Sequence, residues 1–396
     1  MLFLFVVSIP SDNVIRIGSI GSLPRLIGIM AILFGGLALF RGNYITFRMP
    51  SLFLVCSALY TLYAASTYFW SENVSATLVN MITFTQLLLM AWLIWEFARE
   101  ETRRLILMQA FVLGAIISLA AAANTIFAAE DYAFRELGKG FDANEFATVL
   151  AFGIPMAWRL ALTWKNRLLI WLNTLYLPLA IFGVVMSASR GGLIVTLISL
   201  AIIPLTFPRL SMARKLALFT LICIAMWGIF VYFPQIFPDW QRNIERLAGT
   251  SDELTDGTWT GRLLIYEAGA ELFWSNPYLG IGGGAFASTV EPILGRALVA
   301  HNTFLSVLTE GGIVGFLLFT AILVSVIPSL LDKSNRGRSF SIILFIILVV
   351  GIIPLTAEKS KYIWFVLALL AGEASPVIGR TDQAVIYKSL PRLSVK

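Results

Sequence analysis

Histidine occurs once in this 396-residue chain and cysteine twice, and charged residues make up only 13% of it. Each scarcity excludes something. Cys56 and Cys223 fall inside apolar runs, with no CxxC spacing and no companion histidine. They read as small core residues rather than a disulfide or a metal pair. No HExxH, no Walker A loop and no GxGxxG after a strand is present. Nothing therefore points to a metal, a nucleotide or a dinucleotide, and no cofactor is expected. The charged share is about half that of a soluble protein. The net charge of +6 is not laid out as an exposed basic stripe interleaved with aromatics, which argues against nucleic acid. Internal repeats and low-complexity segments are also missing.

What fills the chain is hydrocarbon, with apolar residues at 58%. Apolar runs of about 17–25 residues, the length that crosses a bilayer core, recur throughout. They cover residues 23–40, 51–68, 76–98, 105–127, 146–164, 168–187, 192–207, 216–233, 303–331, 339–354 and 362–372, the last extending to about 377. Residues 1–10 are too short to cross alone and lack the basic start and small-residue cleavage site of a signal peptide. They form either a half-span or, continuing through residues 15–20, part of a twelfth helix. The expected fold is all-α: one integral membrane domain over residues 1–396, a polytopic transmembrane helical bundle of 11–12 spans.

Lysine and arginine set the orientation. Alternate loops carry Arg41/Arg48, Arg99/Arg103/Arg104, Arg159/Lys165/Arg167, Arg209/Arg214/Lys215 and Lys333/Arg336/Arg338. With the tail, that side holds 18 of the 29 basic residues and six carboxylates; the other holds nine basic residues and fifteen carboxylates. The basic side, with the C-terminus, is expected to be cytoplasmic. Every loop agrees except residues 357–361, which are weakly basic.

One connection is long. Residues 234–300 carry most of the outward-facing polar side chains, and loops of that length are functional or disordered. Trp240, Trp259, Tyr266, Phe273, Trp274 and Tyr278 are spread through it, and residues 240–247 and 261–274 have helical spacing, the second stopped by Asn276-Pro277. The expectation is a helical cap lying on the outer face, with aromatics that serve as interfacial anchors or as a platform for sugar rings.

Three features on that face bear chemistry. In Ser187-Ala-Ser-Arg190-Gly-Gly192, a short turn between two runs, Arg190 either snorkels to headgroups or, with the amides of Gly191 and Gly192, holds phosphate oxygens. In Thr258-Trp-Thr260-Gly-Arg262, Thr260 is a candidate N-cap, which puts Arg262 in a first helical turn where the dipole disfavours a cation. Either an anion lies in front of it or it pairs with Asp256 or Glu253. The third is His301, the one side chain here that takes and releases protons near neutral pH; a lone interfacial histidine is otherwise structural. Glu310, nine residues on, is expected roughly 13 Å further along the same helix and inside the bilayer. It is either functional or a tie between helices.

Two arginines and a histidine suit one reaction type: the arginines hold a departing diphosphate while the histidine takes a proton from an incoming hydroxyl. A substrate with an interfacial diphosphate and a very apolar tail is a polyprenyl-diphosphate glycan, whose tail would lie among membrane lipids and helices.

The chain resembles the O-antigen ligase and Wzy polymerase superfamily over nearly its full length. The matching elements are Gly140-Phe-Asp-Ala-Asn144, Ser189-Arg190-Gly-Gly192, Thr260-Gly-Arg262, Asn276-Pro277-Tyr-Leu-Gly280-Ile-Gly282, and His301-Asn302 followed after nine residues by Gly312-Ile-Val-Gly315. The resemblance implies about twelve helices in a bacterial inner membrane with a periplasmic loop and active site. It also implies metal-independent, inverting transfer of a glycan from undecaprenyl diphosphate to an acceptor hydroxyl. By that similarity Arg190 and Arg262 clamp the diphosphate, His301 is or positions the base, and Asn144, Gly191, Gly192 and Asn302 belong to the substrate site. Gly312 and Gly315 belong to the motif without an assigned role. A ligase passes the glycan to lipid A–core and a polymerase to another lipid-linked glycan. Phe316-Leu317, where ligases often continue with small polar residues, leaves the two open, with the ligase preferred. A lipid-linked oligosaccharide flippase is the reading from a different class. It would favour internal repeats and mid-membrane charges, whereas this chain keeps its distinctive residues on one face.

Overall fold

The computed structural model describes residues 1–12, 16–17, 21–41, 50–98, 100–128, 142–207, 210–236, 262–331 and 337–373. Each apolar run is a helix: α2 Leu23–Arg41, α3 Leu52–Ser66, α4 Val74–Phe97, α5 Glu101–Ala128, α6 Ala143–Thr163, α7 Arg167–Met186, α8 Arg190–Leu200 continued by α9 Ile202–Leu205, and α10 Met212–Ile236. After the long loop come α13 Thr303–Val324, continued by α14 Ile327–Leu331, then α15 Arg338–Ile352 and α16 Lys361–Glu373. Within the loop, α11 Arg262–Ser275 and α12 Phe286–Leu294 form. Polar residues placed just before the runs set where helices begin. Ser51, Asn73, Asp142, Asn166, Ser189 and Asn302 each accept a hydrogen bond from a first-turn N–H that would otherwise lack a partner.

Six helices among the described residues are long and apolar enough to cross a membrane, and five shorter apolar ones pack among them. The bundle centres on α6, buried along most of its length against α7 and α8, and on α16, whose Trp364 and Phe365 are fully enclosed. Close approach is bought by small residues: a Cβ on Gly192 would lie 2.3 Å from that of Ala147, so α6 and α8 meet there only through glycine.

The amino-terminal segment is a half-span. α1, Leu2–Ser8, runs into a short 3-10 turn at Ile9–Ser11 and packs on α5 and α2, burying Phe5, Val6 and Ile9. A helix continuing through residues 15–20 is ruled out, because Arg16–Ile17 and Gly21–Ser22 pair as a two-residue antiparallel ladder. That ladder is too small to form a layer, and the fold class is all-α.

The decisive departure from the sequence reading lies in α13. It is two helices joined at Gly312, whose φ of 59° and ψ of −165° belong to a region that only glycine occupies cheaply. The break strands backbone groups, and the long loop satisfies them. Ile281 and Gly282 donate their N–H groups to the carbonyls of Thr309 (3.1 Å) and Glu310 (3.0 Å), while Ile313 and Val314 donate to Pro277 (2.9 Å) and Tyr278 (3.3 Å). Tyr63 donates its hydroxyl to Gly311 O at 2.7 Å. The second half of the loop is therefore threaded into the bundle rather than laid on it, although α11 and α12 do keep a small core of their own, including Ile265, Phe286 and Val290. Residues 240–247 lie outside the described residues.

The break also corrects the depth of Glu310. Ile281, bonded to Thr309, accepts the Glu72 N–H at 2.9 Å, and Gly282 lies against Ser71. Glu310 is thus level with the α3–α4 turn at one end of the bundle, not midway down it. The 19 residues from Ile313 to Leu331 at 1.5 Å per residue span about 28 Å, enough for a bilayer core.

Gly312→Ala is expected to lose about 3 kcal/mol or more of stability, since the added Cβ would sit 2.3 Å from Tyr278 O in a forbidden backbone region. Gly315→Ala, where only the Tyr63 ring must give way at 3.1 Å, should cost about 1 kcal/mol or less. Denaturant titration of the purified protein in detergent distinguishes them, and equal losses would contradict this account of the break.

Candidate functional site

Contacts between loops collect at one end of the bundle. α7 ends at Met186 and the chain turns through Ala188, a non-glycine residue at φ 49°. Ser189 Oγ then accepts the Gly192 N–H at 3.0 Å and donates to Asn144 Oδ1 at 2.9 Å. These bonds fix Arg190 as the first residue of α8, half-buried. They also bear on two expectations. The Gly192 amide is committed to its cap and its hydrogen side chain to helix packing, so it is not offered to a ligand. Asn144 bonds Ser189, the residue before Arg190.

His301 is also held at positive φ, 48°, a conformation that costs on the order of 1–3 kcal/mol unless its surroundings impose it. They do. The His301 N–H donates to Thr356 Oγ1 at 2.8 Å, and its carbonyl accepts from the Tyr266 hydroxyl at 3.4 Å. One residue beyond Asn302, Thr303 Oγ1 donates to Leu355 O (2.7 Å) and accepts from Ala357 N (3.0 Å). Asn302, expected in the substrate site, is the N-cap of α13, its Oδ1 taking the Leu305 N–H at 3.0 Å.

Arg262 opens α11, while Thr258, Thr260, Glu253 and Asp256 lie outside the described residues. Tyr266, one turn on from Arg262 and therefore on the same helix face, is the residue that bonds His301. α11 lies along the first half of α13, where Thr309 Oγ1 donates to Gly269 O at 3.2 Å.

The part that sequence reasoning missed is the α15–α16 connection, residues 353–360. Pro354 covers Gly191, with its Cγ 3.0 Å from where a Cβ would stand. Thr356 holds His301, and Ser360 Oγ donates to Glu145 Oε1 at 2.8 Å. One short loop thus touches the Arg190 turn, the His301 backbone and the start of α6. Its signal was present as the anomalous charge pattern Glu358-Lys359-Ser-Lys361 between two apolar runs.

Glu310 has a structural task. Its carboxylate accepts the N–H groups of Gly284 (2.7 Å) and Phe286 (3.3 Å), at the start of α12, and pairs with Lys359 at 3.5 Å. Lys359 also pairs with Glu358 at 3.6 Å, a carboxylate only 2% exposed that accepts from Ser306 Oγ. Burial pushes the Glu358 carboxyl above its ordinary range; Lys359 pulls it down and Glu310 pushes it further up. Among the described residues, no group of three or more His, Cys, Asp and Glu is placed to hold a metal ion.

Fold and site together define a polytopic helical membrane protein with its polar chemistry gathered at one end. Residues 175–320, from the middle of α7 to beyond the break in α13, match the family model described as O-antigen ligase. This segment, somewhat more than a third of the chain, contains Arg190, Arg262, His301, Gly312 and Gly315, and its match supports the resemblance to the O-antigen ligase and Wzy superfamily. That family is associated with glycosyl transfer of the ligase or polymerase type. No curated protein matches the chain.

Removing the Thr356 hydroxyl tests the loop's hold on His301. Thr356→Val is expected to cost about 1 kcal/mol or more of stability in denaturant titration, by leaving the His301 N–H without its partner, with Thr356→Ser restoring it. Equal loss in Val and Ser variants would show that the hydroxyl is not what matters.

Proposed function

We propose that the protein transfers a glycan from undecaprenyl diphosphate to an acceptor hydroxyl at the periplasmic face of a bacterial inner membrane. The observation that carries this reading is the 353–360 loop, which packs Pro354 on Gly191 beside Arg190 and bonds His301 through Thr356. A diphosphate site and a proton acceptor then share one scaffold, and Arg262 joins them through Tyr266.

In the proposed reaction His301 takes the proton of the acceptor hydroxyl as its oxygen attacks the anomeric carbon. The bond from that carbon to the diphosphate oxygen breaks, and the electron pair leaves with the diphosphate. Arg190 and Arg262 stabilise the charge that grows there, where fixed donors facing developing charge act most strongly. Attack from the face opposite the leaving group inverts the anomeric centre. The preferred acceptor is lipid A–core, making the protein a ligase. Polymerisation onto another lipid-linked glycan uses the same chemistry, and Phe316, seated against Phe304 with ring centroids 6.3 Å apart, keeps that second reading open at the motif's end.

His301→Ala is expected to cut kcat by about 10²–10⁴ with donor affinity nearly unchanged. Arg190→Ala and Arg262→Ala should weaken donor binding as well as rate; unchanged affinity in both would break the clamp. A gel of surface lipopolysaccharide from a deletion strain complemented with each variant assigns the acceptor. Bare lipid A–core with lipid-linked polymer accumulating indicates ligase, and core bearing a single repeat unit indicates polymerase. An unchanged ladder would overturn both.

A further inference from the structure

We propose that a groove between α2 and α4 is a second lipid site, which takes a membrane lipid with one long apolar chain and a phosphate or diphosphate headgroup. The groove has a volume of ≈290 Å³. Its floor is Phe5, Leu87 and Met90, all buried, and its open side runs between Ile29 and Val79, 47% and 58% exposed. On a membrane-spanning bundle such an opening faces the hydrocarbon of the bilayer. Its far end is charged: Arg25, Lys359 and Lys361 line it together with Asp12.

The charges at that end favour an anion. Lys361 is paired with Asp12, and Lys359 with Glu310 and Glu358, neither of which lines the groove. Arg25 is exposed and has no ion pair among the described residues. It lies in the first turn of α2, where the helix dipole disfavours a cation and an anion in front of it removes the penalty. A phosphate there would lie against Arg25 and the two lysine ammonium groups, with its tail running down the α2–α4 groove. The volume lies at the lower limit for ligand pockets, which suits one chain rather than the two of a phospholipid or the several of lipid A.

This site is separate from the Arg190 clamp. The clamp lies where Pro354 meets α8, whereas Lys359 and Lys361 stand at the other end of the same connection, against α2 and α4. His301 is bonded to the loop between them, at Thr356. The inference stands on the groove and its charges and does not require the proposed transfer reaction.

The test is binding of undecaprenyl phosphate to the purified full-length protein, counted by native mass spectrometry. Arg25→Gln at the head and Thr83→Trp in the groove are each expected to weaken one bound equivalent about tenfold, while Arg190→Ala leaves that equivalent in place. Undecaprenol should bind more weakly than the phosphate, and dioleoyl phosphatidylglycerol should not displace it. Unchanged affinity in both groove variants would overturn the site, as would equal displacement by phosphatidylglycerol. Binding lost entirely in Arg190→Ala and kept in the groove variants would place the lipid at the clamp alone, sinking this site and leaving the transferase reading standing. A polyprenyl phosphate with a photoreactive tail, crosslinked to the unaltered protein, gives an answer independent of variant folding. Adducts on α2 and α4 support the groove, and their absence there refutes it.

Discussion

A helix broken among packed neighbours leaves backbone groups that something else must satisfy. Everything distinctive about this protein's polar end depends on how the break at Gly312 is repaired. The segment 277–282 supplies carbonyls to Ile313 and Val314 and N–H groups to Thr309 and Glu310, which fastens the long loop into the bundle. Once fastened, α11 lies along the first half of α13, and Tyr266 reaches His301. The Glu310 carboxylate, capping the start of α12 from the same stretch, locks the arrangement from its other side.

The bundle as a whole could be read from hydropathy, because a span must be apolar for its full length and no tertiary contact can excuse it from that. All eleven apolar runs are helices, and capping residues such as Ser51, Asn73 and Asn302 stand where the runs begin. That the turn before α8 and the backbone of His301 meet the same 353–360 loop agrees with the alternation of the loops. What could not be read were features set by contacts distant in sequence. Glu310 seemed deep because counting residues assumes a straight helix, and the φ of Gly312 is invisible to hydropathy. Residues 353–360 looked like an ordinary turn with an odd charge pattern; their meaning depends on Gly191 and His301, more than 50 residues away in either case. Asn302 Oδ1 and the Gly192 N–H each take part in a helix cap, a role that sequence alone does not separate from binding.

Ala188 and His301 are the two described non-glycine residues at positive φ, and each adjoins a piece of the candidate site. Neither conformation is dictated by its own side chain. Ala188 is imposed by the closing of α7 onto α8, and His301 by Thr356 and Tyr266. Strain of this kind persists only where neighbours over-determine it, so the site's backbone inherits its shape from the bundle.

The end of the bundle that holds these residues is, by sequence, the carboxylate-rich one, an unpromising place for the diphosphate proposed above if only side chains are counted. α4, α6, α8, α13 and α16 all begin there. Each contributes the positive end of its peptide dipole, equivalent to roughly half an elementary charge at its N-terminus. Helix starts at one end add a positive potential near each terminus that no titration removes, because it belongs to the backbone. α8 and α13 start at Arg190 and just after Asn302, so each places such an end beside the candidate site.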